Sequence, residues 1–217
     1  MKRSALKKQA RAALKGHWGI AILVGLALIG ANWVIGMIPM IGWIVSLAAV
    51  VLEFGFAAFY LSIVRGGDVE FVTLFTASFE GFFKKLGTYW LKVLYLFLWY
   101  LLFIIPGIVK SYAYSMADYV IYENPNLTAD EAITISCKLT DGAKGELFVF
   151  DLSFIGWNLL NAFTFGILGI VYAHPYMYTA HAAIYDTLKL RAIDSGVLTW
   201  GDFGQMPPAA DVCTETN

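Results

Sequence analysis

GHWGIAILVGLALIGANWVIGMIPMIGWIVSLAAVVL, residues 16–52, runs for 37 residues without an Asp, Glu, Lys or Arg. A helix rising 1.5 Å per residue crosses ~30 Å of hydrocarbon in about 20 residues. One crossing cannot use up this stretch, so it predicts two, with Ile38-Pro39-Met40-Ile41-Gly42 as the corner between them. Proline lacks a backbone donor and turns the residue before it away from helix. The basic leader ahead of the run (Lys2, Arg3, Lys7, Lys8, Arg11, Lys15) fits the n-region of a secretion signal. The apolar stretch exceeds an h-region, however, and no small-x-small site ends it, so the reading is an uncleaved anchor.

Further charge-free runs follow at Phe54–Val64, Val93–Val109 and Leu152–Tyr185. The last, at 34 residues, is again too long for a single crossing. Polar backbone groups must be paired inside lipid, and these runs lack the alternation of barrel strands, so helices are expected. The composition agrees. Of 217 residues, 59% are apolar and 14% charged, against roughly 45–50% and about 25% in soluble domains. The 15 Lys+Arg nearly cancel the 16 Asp+Glu, which leaves no basic surface for nucleic acid. Cys137 and Cys213 provide no disulfide framework.

Three units share one grammar: an amphipathic leader, a Lys and Gly (Lys15-Gly16, Lys85-Leu86-Gly87, Lys144-Gly145), an apolar helix, a proline corner and a second helix. The later corners are Ile105-Pro106-Gly107 and His174-Pro175, with a kink in one long helix as the alternative at Pro106. The pseudo-repeats cover about 1–65, 66–125 and 126–191. The second leader carries Phe71, Phe75, Phe79, Phe82, Phe83 and Leu86 at helical spacing. The third opens with Thr128 and Glu131 at capping-box spacing. Three hairpins give six spans at approximately 18–37, 42–64, 87–105, 107–122, 145–172 and 175–190, with both termini on one side. Positive residues favour the cytoplasm, and this topology puts Lys2 to Lys15, Arg65, Lys84, Lys85, Lys138, Lys144, Lys189 and Arg191 there. A four-span alternative exports residues 107–146, including Lys138 and Lys144. Residues 192–217 read as a flexible cytoplasmic tail without apolar periodicity.

Ionisable groups within spans face protein or a wet cavity, which singles out Glu53, Lys92, Asp118, Asp151 and, near a boundary, Asp186. Lys92 and Asp151 lie five and six residues beyond Gly87 and Gly145. Equal depth in parallel helices predicts that they pair. Ser111, Ser115, Asp118 and Tyr122 fall on one helical face, as the lining of a cavity or as hydrogen-bonded helix contacts. His174 and His181 are seven residues apart but lack a third metal ligand in view. No HExxH, phosphate loop, CxxC or nucleophile elbow occurs, so no catalytic residue, metal or cofactor is expected.

The text Ile105-Pro106-Gly107-Ile108-Val109-Lys110-Ser111-Tyr112-Ala113-Tyr114-Ser115-Met116-Ala117, with Asn124-Pro125, Leu152-Ser153-Phe154-Ile155-Gly156-Trp157, Pro175-Tyr176 and Ala183-Ile184-Tyr185, resembles the bacterial membrane family called domain of unknown function 975. That resemblance implies a multi-pass bacterial membrane protein and carries over no substrate, cofactor or catalytic residue. The expectation is thus an all-α polytopic transmembrane bundle, residues 1–191, of three helical hairpins with interfacial amphipathic helices. It sits in the bacterial cytoplasmic membrane as a non-enzymatic component that organises lipids or partner proteins. A small-solute or ion transporter using buried carboxylates is the alternative, and a lipid enzyme ranks third. The expected partner is the lipid bilayer; a membrane-protein partner or a second copy of the chain is left open.

Overall fold

The computed structural model describes residues 3–23, 26, 54–66, 72, 76, 79, 81–164 and 168–206. Among these residues the regular structure is helical, without a strand. In chain order the helices with seven or more described residues are α1 (Arg3–Leu14), α2 (54–64), α3 (Phe82–Leu102), α4 (Ile104–Tyr114), α5 (Ala117–Glu123), α6 (Ala129–Leu139), α7 (Lys144–Leu152), α8 (Ile155–Phe163) and α9 (His174–Asp194), and residues 18–23 are helical as well. A π-helical turn, Gly169–Ala173, leads into α9, and a 3-10 turn, Trp200–Phe203, follows it.

Two helices form the centre. In α2 the residues Phe54, Phe56, Ala57, Ala58, Phe59, Tyr60, Leu61 and Ile63 are all buried, and a helix apolar on every side belongs in the interior. Helix α9 buries Tyr176, Ala180, Ala183, Ile184, Tyr185 and Leu188. Helix α1 lies along α9: Leu6, Ala10 and Leu14 recur every fourth residue and are buried, whereas Lys8, Gln9 and Arg11 stay exposed. The Lys7 ammonium sits 4.6 Å from the Phe154 ring, and the Arg11 guanidinium 5.2 Å from that of Tyr176. This leader therefore covers the core rather than standing off from it.

Helices α3 and α4 form the hairpin expected at the second proline, but the corner is Phe103, in extended conformation. Pro106 lies in the first turn of α4, where its missing N–H is one that no helix satisfies. The two helices touch closely at Gly107, where an added Cβ would stand 2.4 Å from the Tyr100 ring. After Tyr114 the helix is interrupted, and the buried Ser136 of α6 repairs the break. Its hydroxyl accepts from Met116 N at 3.1 Å and donates to Ala113 O at 2.7 Å. An exposed polar backbone is thereby satisfied inside the protein.

Three expectations need correction. First, the corner at His174-Pro175 is absent, because helical backbone runs from the π turn straight into α9. The wider π turn accommodates the proline ring and its missing donor. The π turn packs against α8, with the Gly169 N–H donating to Asn161 Oδ1 at 2.6 Å. Second, residues 145–172 are not one helix, since α7 and α8 are separated at Ser153–Phe154. Third, the segment expected to be a flexible tail from residue 192 is held against the helices as far as Gln205, whose N–H donates to Trp200 O at 3.0 Å. Leu198 and Phe203 are buried, and Asp202 caps the 3-10 turn by accepting from Thr199 N at 2.7 Å. Two apolar anchors within six residues are too few to show as a periodicity, yet they hold the segment down.

Among the described residues no helix is long and apolar enough to cross a membrane. Helix α3 has 21 residues, about 31 Å at 1.5 Å each, but Lys84, Lys85 and Lys92 occupy its first half. Most of the expected spans 18–37 and 42–64, and with them the first proline corner, lies outside the described residues.

Candidate functional site

Four elements converge on a cavity of about 340 Å³. Helix α2 contributes Phe56 and Ala57, the α4–α5 break contributes Ser115, Asp118 and Tyr119, α7 contributes Asp151, and α9 contributes Met177, Tyr178 and His181. Asp118 and Asp151 stand next to the two helix interruptions, at Ser115–Met116 and Ser153–Phe154. Irregular backbone inside a helical core is tolerated where it is buried in protein or faces a cavity.

The expected pairing of Lys92 with Asp151 is not formed. Lys92 Nζ instead meets both oxygens of Asp118, at 2.7 and 2.8 Å. Matching depths from the glycines assumed straight parallel spans, whereas the Phe103 corner makes α4–α5 the neighbour of α3. Asp151 turns to His181, whose Nε2 lies 2.8 Å from Asp151 Oδ1. Tyr178 stacks on Tyr60 with ring centroids 5.4 Å apart and on Phe56 at 6.0 Å, giving the cavity an aromatic side.

Of the residues singled out from sequence, Ser115, Asp118 and Asp151 thus share one cavity, with Lys92 behind Asp118. Ser111 lies off it and donates to Ile108 O at 2.7 Å. The Ser115 hydroxyl bonds back to Tyr112 O at 2.8 Å. Glu53 lies outside the described residues. His174 packs against the Tyr178 ring at 6.3 Å, apart from the His181–Asp151 pair. Among the described residues no three His, Cys, Asp or Glu side chains converge as metal ligands. The aromatic lining was missed from sequence, because Phe, Tyr and Trp make up 16% of the chain and mark no single place in it.

A second polar cluster also escaped the sequence reading. The Glu123 side chain, 1% exposed, binds Arg65, accepts from Lys189 Nζ at 2.6 Å and from the Tyr185 hydroxyl at 2.7 Å. Arg65 also reaches Asp186 at 2.6 Å, and Lys189 donates to Gln205 Oε1 at 2.9 Å. Burial disfavours the charge on Arg65, but the hydrogen bond it donates to Asp186 and the fields of Glu123 and Asp186 hold its pKa above the ordinary value. Two cations thus meet two carboxylates, joining the ends of α2, α5 and α9 to the C-terminal segment. The sequence reading singled out Asp186 near a span boundary and placed Arg65 and Lys189 as inward-facing positive charges, but it did not bring them together around Glu123.

The class defined so far is an all-helical protein with a polar and aromatic cavity between its central helices. The family described as Protein of unknown function (DUF975) matches residues 1–112 and 101–192, and the chain belongs to it. No curated protein and no solved structure matches the chain.

Proposed function

We propose that this chain is a multi-pass integral membrane protein of the bacterial cytoplasmic membrane, with both termini cytoplasmic, that organises lipids or partner proteins without catalysing a reaction. The observation that carries the reading is the tip of the α3–α4 hairpin. Leu101, Leu102, Phe103, Ile104 and Ile105 are 61–75% exposed in unbroken succession. Phe97, Leu98, Ile108 and Val109 extend the same apolar surface along both helices. Water opposes so large a contiguous patch, whereas hydrocarbon accepts it without cost. Charge-free runs through residues 16–52 and 152–185 support six spans arranged as three hairpins. The test is alkaline carbonate washing of membranes from cells expressing the full chain. Retention in the lipid pellet is expected, and release into the supernatant would refute the proposal.

A second reading, a small-solute or ion transporter, is favoured by the cavity at Asp118, Asp151 and His181. Transport folds place binding sites beside interrupted helices near mid-membrane, and both acids stand next to such interruptions.

A further inference from the structure

We propose that the cavity between α2, α5, α7 and α9 binds a small organic monocation with an apolar or aromatic body, for which Asp151 is the counter-ion and Phe56, Tyr119 and Tyr178 are the walls. The inference deepens the transport reading and rests on it for the site.

The charge count selects a cation. Asp118 is neutralised by Lys92, which stands behind it and is not part of the lining. Asp151 meets His181 Nε2 at 2.8 Å, and the lining gives it no Lys or Arg as a fixed counter-charge; a neutral imidazole beside it would leave the carboxylate's charge in place. The lining then carries one uncompensated negative charge and exposes no Lys or Arg to an anion. A single positive charge restores neutrality.

The walls select what surrounds that charge. Phe56 and Tyr178 stack together, Tyr119 stands beside Asp118 in sequence, and aromatic rings attract ammonium groups through their quadrupoles. A strongly hydrated metal ion would want several oxygens in place of rings. The volume, about 340 Å³, lies at the lower end of the ~300–1,000 Å³ typical of small-molecule sites. This fits a substituted amine or quaternary ammonium compound and excludes a peptide or lipid of full length.

The experiment is isothermal titration calorimetry on the purified full chain in detergent, with benzyltrimethylammonium, benzyl alcohol and phenylacetate as cationic, neutral and anionic probes of similar shape. Saturable binding is expected for the cation alone. Asp151→Asn and Tyr178→Leu are each expected to weaken it on the order of tenfold, while Ser111→Ala, off the cavity, leaves it unchanged. Should one cavity variant not fold, the other decides the matter. Equal binding of all three probes, no saturable binding by the wild type, or affinity unchanged in the folded cavity variants would overturn the proposal. Binding without flux in proteoliposomes would sustain the cation site while removing transport.

Discussion

Lys92 and Asp118 are half-buried partners, and removing either one leaves the other's charge where water solvates it poorly. Lys92→Ala and Asp118→Ala are each expected to lower the unfolding free energy by roughly 3 kcal/mol. The double variant should cost less than the sum of the two, while Lys92→Ala and Asp151→Ala should add. Denaturant titrations of the detergent-solubilised protein make the comparison. Additivity in the first pair with coupling in the second would restore the pairing expected from sequence. At this scale the sequence disclosed which residues matter better than whom they meet. Lys92, Asp118 and Asp151 stand out because charge is scarce in apolar runs, but partnership depends on how the helices on either side of the Phe103 corner pack, which no local pattern marks. Glu123 shows the converse. It sits at a helix end like many surface acids, and only the fold reveals that Arg65, Tyr185 and Lys189 enclose it.

Among the elements, α6 was the most legible, since Thr128 and Glu131 satisfy each other's backbone donors as a capping box does. Hydrogen bonds from the Thr128 backbone N–H and hydroxyl hold the Glu131 carboxyl below its ordinary pKa. A carboxyl with a lower pKa in the folded state adds stability above its unfolded value. That contribution disappears as pH falls through the folded value. Between about pH 5 and about pH 3, the wild-type Tm should therefore drop further than that of Glu131→Gln, as followed by thermal circular dichroism. Parallel curves would show that the box contributes nothing. The proline corners were legible in part: Pro106 lies beside a real reversal, because the first turn of a helix tolerates proline. Pro175 also lies in a first turn, but a π turn precedes it and the helix does not reverse there. A proline in sequence marks where an α-ladder is interrupted, not whether the chain turns back.

For the molecule as a whole, apolar periodicity and length were enough to establish the all-helical class, because runs without alternation leave helix as the remaining way to pair the backbone. The C-terminal segment was not legible, since Leu198 and Phe203 are isolated anchors whose meaning lies in the core they enter. The proposed membrane arrangement joins the two levels: the hairpin exposes Phe103 to Ile105 at one end, while Lys84 and Lys85 begin α3 at the other. An impermeant maleimide applied to intact cells tests this directly, using single cysteines at Gly42, in the first proline corner, and at Asp141 in a chain whose own Cys137 and Cys213 are serine. The account predicts that Gly42→Cys is labelled from outside and that Asp141→Cys is labelled only after permeabilisation. External labelling at Asp141→Cys, or protection of both positions in intact cells, would contradict it.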